Sequence, residues 1–221
     1  PAKRPATAAP AKRPATAAPA KRPASAPAKR PAAKLPKVTP QPAGLGDLDA
    51  LLDLRNLDHA RLAHAIVLET NAARQRHGLR PLPAEPRLDA AAQLHAERMA
   101  RLDFFDHNDP HDARYRTPKD RAAASGVKNP HIAENILTGF ALQHDGGPLY
   151  VIDRSRGRFS RTPRGPEIPR HTYRSFAKRS VQRWLDSPGH RRNLLSKNGL
   201  QMGAGASRGR RWPGASRGRR W

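Results

Sequence analysis

The stretch that decides the fold of this chain runs from Trp184 to Leu195 and reads Trp-Leu-Asp-Ser-Pro-Gly-His-Arg-Arg-Asn-Leu-Leu. It combines the end of an amphipathic helix, a tight break and a second, short helical turn. Pro188 cannot continue a helix, and Gly189 tolerates backbone angles that other residues avoid. The break therefore predicts a fixed position for His190, with apolar residues anchoring it on either side.

Two other stretches are candidates to form a site together with this one. Residues 104–107 read Phe-Phe-Asp-His, and residues 133–136 read Ala-Glu-Asn-Ile. Each carries one side chain that can bind a ligand or move a proton, His107 in the first and Glu134 in the second. Because the three stretches lie far apart along the chain, only the tertiary fold can bring them together.

The positive charge of the chain is concentrated at its two ends. The 221 residues include 42 Lys and Arg and 18 Asp and Glu, a net charge of +24. Ten of the basic residues lie in residues 1–40 and six in residues 207–221, and neither segment holds an acid. Basic ends of this kind attract polyanions such as nucleic acid, anionic lipid heads or acidic cell-wall polymers.

The chain divides into a repeat, a globular domain and a second repeat. Residues 1–43 repeat Pro-Ala-Lys-Arg-Pro-Ala and hold almost nothing apolar larger than alanine, which predicts a disordered, extended arm. The arm is interpreted either as an anion-binding segment or as a solvated spacer. Residues 207–221 belong to an Arg-Gly-Trp repeat and are predicted to be a disordered tail. Residues 44–206 are enough for one domain core.

Two absences narrow the class of protein. Cysteine is absent, so neither a disulfide framework nor thiol chemistry is available. No run of about 18 apolar residues exists, which argues against a membrane-spanning helix in this sequence. An export signal is not visible either, because no apolar leader stands at the start.

Apolar periodicity and capping residues predict a mainly helical domain with a few strands. Helices are predicted over residues 44–57, 59–77, 86–102, 117–125 and 172–186, and strands over residues 131–140, 149–152 and 200–206. His95 falls on the apolar face of the third helix and is predicted to be a core residue.

Five motifs follow one another in this middle region. They are residues 71–74 with 78–82, residues 88–96 with Met99, residues 104–107, residues 133–136 and residues 184–195. In this order they resemble the CAP superfamily, the domain of cysteine-rich secretory proteins, antigen 5 and plant pathogenesis-related class 1 proteins. The resemblance points to the bacterial branch that lacks cysteines.

The resemblance implies an α+β fold, a three-layer α-β-α sandwich with a central cleft. In the family this cleft holds two histidines and acidic residues, often with a bound divalent metal. Carried over by motif, the metal-binding histidines are His107 and His190, and the cleft acid is Glu134. The family's second glutamate corresponds to Ser187, which is the candidate fourth cleft position.

The chain departs from the family pattern in two respects. Asp106 stands where a serine usually precedes the first histidine, and Ala133 stands where a glycine usually precedes the glutamate. The family closes its sheet with an aromatic-rich strand after the Gly-x-Gly found here at residues 203–205. This chain continues with the Arg-Gly-Trp repeat instead, so either the sheet lacks its last strand or the true end is missing.

Two imidazoles and a carboxylate have three interpretations. As ligands they suit Zn²⁺ or another divalent cation at roughly 2.0–2.2 Å per ligand, bound weakly because only two are histidines. As a hydrogen-bonded network they would tie helices to the sheet without any metal. With Glu134 as base and a metal-bound water, they would catalyse hydrolysis.

Three functions follow. The first is a ligand-binding or interaction module of the cell exterior or envelope, since family members bind lipids and sterols, held near an anionic surface by residues 1–43. The second is a metal-assisted hydrolase of peptide or glycan that uses His107, His190 and Glu134. The third is a nucleic-acid or polyanion binder that uses the basic arm. The sequence favours the first, without an enzyme activity.

Overall fold

The computed structural model describes residues 46–53, 55–128 and 130–209. Along the chain lie the helices α1 (His59–Arg76), α2 (Pro86–Leu102), α3 (Pro118–Ala124), α4 (Tyr173–Asp186) and α5 (Pro188–Leu194), the strands β1 (Tyr150–Asp153) and β2 (Arg158–Ser160), and a 3₁₀ turn at Ala113–Tyr115. The predicted α+β class is confirmed. The predictions for residues 1–43, and for the tail beyond residue 209, lie outside the described residues.

The helices begin where the sequence places their caps. Asp58 accepts a hydrogen bond from the backbone N–H of Arg61 at the start of α1 (2.9 Å). Thr117 and Asp120 form a reciprocal capping box at the start of α3. These side chains satisfy backbone donors that have no partner inside the helix. Pro188 opens α5 and separates it from α4, as predicted. In the described ranges, no helix is both long and apolar enough for a bilayer.

Helices α1 and α4 pack against each other and form the larger core. Its buried side chains come from these two helices, from the segment before α1 and from Ala204: Leu48, Leu52, Leu62, Ala65, Ile66, Val67, Tyr173, Ala177 and Ala204. Burial of such apolar surface is the main favourable contribution to folding. The core therefore fixes the position of α4, and with it the break that leads into α5.

The predicted helix over residues 44–57 is wrong for the described part of that stretch. Backbone hydrogen bonds join it to the start of α4 instead: Leu52 N–H donates to the oxygen of His171 (2.8 Å), and Arg174 N–H donates to the oxygen of Leu48 (2.9 Å). The leucine spacing that suggested a helix still buries two leucines, but it does so through these tertiary contacts.

The stretch through Gly203 and Gly205 forms the middle of a three-layer arrangement. A Cβ at Gly203 would lie 2.2 Å from the carbonyl carbon of Leu88, and a Cβ at Gly205 would lie 2.2 Å from the backbone nitrogen of Gln93. Helix α2 therefore lies directly against this side. Ala204 faces the other way and is buried in the core of α1 and α4. Such alternation is what an extended segment between two layers requires.

Regular strands in the described residues are confined to the antiparallel hairpin β1–β2. The strand predicted over residues 149–152 is confirmed as β1. The strands predicted over residues 131–140 and 200–206 are wrong. The first has no partner strand, and the second makes a single parallel bridge in the part described, between Met202 and Ala84.

Helix side chains take the place of a neighbouring strand along residues 131–140. Three alternate backbone oxygens accept hydrogen bonds from side chains of α4 and α5: Glu134 from Asn193 (3.2 Å), Ile136 from Trp184 (3.4 Å) and Thr138 from Arg183 (2.6 Å). Alternate residues of an extended chain present their carbonyls on the same edge. The segment is therefore bound to the two helices along that edge, which explains why no strand is paired there.

A buried arginine holds the end of α5. The Arg74 side chain on α1 is 1% exposed and donates to the backbone oxygens of Arg80 (3.0 Å), Leu194 (2.8 Å) and Ser196 (3.0 Å). Burial lowers the pKa of this guanidinium, and the nearby charge of Arg80 lowers it further. The three carbonyls keep α5 in place against α1.

Candidate functional site

A carboxylate, an imidazole and a guanidinium meet at Glu134. Its Oε1 accepts a hydrogen bond from Nδ1 of His107 (2.8 Å), and its Oε2 accepts one from Arg121 (2.7 Å). The side chain of Glu134 is 18% exposed and that of Arg121 is 1% exposed, so the ion pair lies largely out of water. Because a charge removed from water needs a partner, each of the two fixes the position of the other.

Helix α3 supplies the guanidinium and ties the site to its surroundings. Arg121 also donates to the backbone oxygens of Tyr115 (2.9 Å), Arg116 (3.1 Å) and His107 (3.0 Å). One side chain thus binds the 3₁₀ turn, the histidine loop and Glu134 together. The fixed fork of an arginine, with five N–H donors, suits this role.

The histidine loop is folded back onto the helix that precedes it. Helix α2 ends at Leu102, and Asp103 adopts a left-handed conformation (φ 57°) that turns the chain away. His95 lies on α2, and its Nε2 donates to the backbone oxygen of Asp106 (3.0 Å). This bond anchors the residue directly before His107 and so positions that imidazole.

His95 is a buried neutral histidine beside the carboxylate. It is 1% exposed, and its Nε2 lies 4.0 Å from Oε1 of Glu134. Burial lowers the pKa of His95, and the charge of Arg121 lowers it further, while Glu134 opposes the shift. Its Nδ1 finds no hydrogen-bond partner among the described residues.

Helix α5 is joined to the Glu134 segment through amide side chains. Asn135 donates to the backbone oxygen of His190 (3.0 Å). Asn193 donates to the backbone oxygen of Glu134 (3.2 Å) and to the side-chain oxygen of Asn135 (3.0 Å). The break at the start of α5 is therefore held against the carboxylate's own segment, as the motif order led us to expect.

Comparison with known proteins decides the family. The model of the CAP family, the cysteine-rich secretory protein family, matches residues 67–215. The chain belongs to the CAP family. The match spans all four predicted site residues and confirms the resemblance that the motifs carried.

Two proteins similar to this CAP chain are much longer than the region that they share with it. The uncharacterised protein YkwD of Bacillus subtilis (strain 168) is 28% identical over 140 residues, which are 63% of this chain and 40% of YkwD. An extracellular protein of Bacillus anthracis strain Ames that contains an SCP domain, solved by crystallography, is 22% identical. Its TM-score is 0.43, over 67% of this chain and 38% of that one. The chain spans about two fifths of the length of the relatives it matches.

The structure of this CAP domain brings two of the predicted site residues into contact and does not do so for the other two. His107 and Glu134 are in direct contact, whereas the backbone oxygen of His190 accepts a hydrogen bond from Asn135, the residue after Glu134. Ser187 lies at the junction of α4 and α5, where its backbone N–H donates to the oxygen of Trp184 (3.3 Å). Within the described ranges, no group of three or more His, Asp or Glu is arranged to hold a metal. The metal and cleft roles stay predictions.

Sequence reasoning missed two members of the cluster. It placed His95 in the core, as its burial confirms, but it did not connect that residue with Glu134. It overlooked Arg121, whose carboxylate partner lies 13 residues further along the chain. The only local signal was a basic residue on a short, well-capped helix just before the Ala-Glu-Asn motif, and such residues are usually solvated.

A cavity of about 1990 Å³ opens beside this cluster. It lies between α2 on one side and α1 with α4 on the other, and the segment 131–140 borders it. Most of its wall is apolar, with contributions from Ile66, Leu88, Met99, Ile136, Phe176 and Trp184. Glu134, His95 and Arg121 form a polar part of the lining. An apolar cavity with a few convergent polar groups is the usual form of a small-molecule site.

Replacing Glu134 with glutamine should destabilise the domain by about 3 kcal/mol, because the substitution leaves the buried Arg121 without its carboxylate. Glu97→Gln, an exposed position on α2, is the matched control and should change stability by no more than about 0.5 kcal/mol. Both are measured by denaturant unfolding. Equal stabilities for the two variants would show that the ion pair does not support the fold.

The stability of the domain should depend on pH through the protonation of His95. In the folded chain the pKa of His95 is lowered from 6.5. As the pH falls below about 6.5, His95 therefore binds a proton in the unfolded chain before it does so in the folded chain, which favours unfolding. Stability should therefore decline from pH 7 to pH 5. His95→Gln should be less stable at pH 7 but should show a shallower decline. Part of the slope should remain, since burial also lowers the pKa of His64 and His171.

The matched control for this measurement is His131→Gln, because His131 is exposed. Thermal unfolding midpoints across the pH range provide the comparison. A His95→Gln profile with the same slope as that of the unchanged chain would mean that the protonation of His95 is not coupled to folding.

Proposed function

We propose that this CAP domain is a ligand-binding module whose binding site is the cavity beside Glu134. The observation that carries the proposal is the engagement of both carboxylate oxygens, one by His107 and one by Arg121. A general base must be directed at the proton that it removes, and here each oxygen is already directed at a fixed donor. A carboxylate held in this way instead supports the shape of a binding site, which favours binding over hydrolysis.

The ligand class that suits the cavity is a lipid or a sterol. Its wall is mostly apolar, and its volume exceeds the roughly 300–1,000 Å³ of typical small-molecule pockets. A long acyl chain or a fused-ring skeleton would bury its surface against Ile66, Phe176 and Trp184. The polar end of such a ligand would face the cluster at Glu134.

A second candidate, weak divalent-metal binding, is favoured by the orientation of one imidazole. Nδ1 of His107 donates to Glu134, which leaves Nε2 of the neutral ring with its lone pair, and the side chain is 46% exposed. Histidines that bind metals commonly donate their other nitrogen to a carboxylate in this way. His107, together with His190, would hold Zn²⁺, and Glu134 would orient the first ring. The metal would supply a Lewis acid when bound.

The cell exterior or envelope is the setting we propose for this module. The family to which the chain belongs is named for secretory proteins. A chain without cysteine neither gains nor loses a disulfide in an oxidising compartment, so its core suits that setting. Residues 1–43 would hold the domain near an anionic cell wall or lipid surface through their lysines and arginines.

Filling the cavity should weaken ligand binding. Ala96→Phe adds a ring to the cavity wall of α2, and Ala90→Phe adds the same ring to the exposed face of that helix. The affinity for a fluorescent fatty acid or a fluorescent sterol should fall about tenfold, or about 1.4 kcal/mol, in the first variant only. Thermal unfolding shows whether both variants fold. If neither probe binds the unchanged protein, or if both variants bind equally well, the cavity is not a lipid site.

Metal binding is tested separately by calorimetric titration with Zn²⁺. His107→Gln should abolish the binding, whereas His77→Gln, a substitution at an exposed histidine outside the cavity wall, should leave it unchanged. Binding that survives His107→Gln would place the metal on another part of the chain. Hydrolysis of a peptide or glycan that stops when a chelator is added would instead support the hydrolase.

A further inference from the structure

The hairpin β1–β2 exposes an apolar row on its outer strand. Three successive residues of β1 are exposed, Tyr150 at 38%, Val151 at 51% and Ile152 at 43%. On β2, by contrast, Phe159 is 8% exposed and Ser160 is fully buried. Strand β2 therefore lies against the body of the domain, and β1 forms the outer edge.

Strand β1 has two features that protect an edge, a length of only four residues and an irregular register between Val151 and Asp153, yet its apolar side chains remain exposed. Strand β1 pairs with β2 on one side, and no other described strand lies along its opposite side. Successive side chains of a strand point to opposite faces. Three exposed apolar neighbours therefore mean that neither face of β1 is covered. Exposed apolar edges of this kind mark interaction surfaces or invite aggregation.

Arginines surround the apolar row. Arg154 and Arg156 lie in the exposed turn of the hairpin, and Arg161 and Arg164 follow β2 on the exposed surface. Arg156 keeps a side-chain exposure of 76% even though Asp153 lies 3.7 Å away. The hairpin thus presents an apolar stripe with a positively charged border.

We propose that this hairpin docks on an anionic lipid bilayer, with Tyr150, Val151 and Ile152 entering the headgroup region. Arg154 and Arg156 would then bind lipid phosphates, since guanidinium groups bind phosphate with two parallel hydrogen bonds. The ring of Tyr150 combines an apolar body with a polar tip, a combination enriched at membrane interfaces. The proposal does not depend on the cavity or on the basic arm.

Two other occupants fit this surface less well. A nucleic acid would bind the arginines but would leave the apolar row in water. A second copy paired edge to edge through β1 would bring the arginine-bordered turns of both hairpins into one assembly, where like charges repel. A bilayer with anionic headgroups satisfies the apolar and the charged parts together.

The absence of cysteine makes a direct test possible, because a single introduced thiol is the only labelling site. Val151→Cys in the full chain is labelled with a fluorophore and mixed with vesicles of phosphatidylglycerol and phosphatidylcholine that carry nitroxide-labelled lipid. The label should be quenched. Ala90→Cys, at an exposed position on α2 outside both the hairpin and the cavity wall, is the control and should not be quenched.

A second measurement separates the hairpin from the basic arm. At about 1 M salt the Debye length is about 3 Å, so the electrostatic attraction of the arm is largely screened. Under these conditions Val151→Ser combined with Ile152→Ser should reduce vesicle binding about tenfold, because two apolar side chains are lost from the contact. Ala90→Ser, at the exposed control position on α2, should bind like the unchanged chain.

Three results would overturn the proposal. The first is equal quenching at positions 151 and 90, which would assign the contact to another segment. The second is unchanged vesicle binding by the double serine variant. The third is a sedimentation velocity experiment in which the unchanged chain is a dimer that the double variant dissociates, which would identify a second copy as the occupant. If the double variant does not fold, the labelling result alone decides.

Discussion

The ion pair between Arg121 and Glu134 is the interaction on which the site of this CAP domain depends. A guanidinium that is 1% exposed is stable only with a partner, and Glu134 is that partner. The same arginine binds three backbone oxygens, so the pair also joins the 3₁₀ turn to the histidine loop. His107 donates to the other oxygen of the carboxylate. A single charge pair therefore sets the arrangement of residues contributed by four separate segments.

In the middle layer, too, polar groups of the backbone are bound by side chains that are far away in the sequence. The backbone oxygens along residues 131–140 are bound by side chains of α4 and α5, and Arg74 binds the carbonyls that end α5. Extended backbone in this position must be satisfied, because an unpaired buried carbonyl is costly. The helices thus hold the central segment in place where a paired strand would otherwise do so.

The domain has two apolar surfaces with polar or charged groups beside them. The cavity beside Glu134 is mostly apolar with a polar cluster in its wall, which suits a bulky apolar ligand with a polar group. The hairpin exposes its own apolar row within a positively charged border. A domain that collects an apolar ligand at one surface and rests on a lipid surface with another would remain close to the source of that ligand.

The sequence by itself determined the family, the α+β class and most helix boundaries, because caps, prolines and apolar periodicity act within a few residues of each other. It also predicted that His107 and Glu134 would meet, because each lies in a local motif, and the two side chains are in contact. Only the tertiary structure decided that residues 131–140 bind helix side chains instead of a strand, that residues 44–57 are not helical, and that Arg121 and His95 belong to the site. In each case the deciding hydrogen bond or ion pair joins residues far apart in sequence, and no local pattern encodes such a partner.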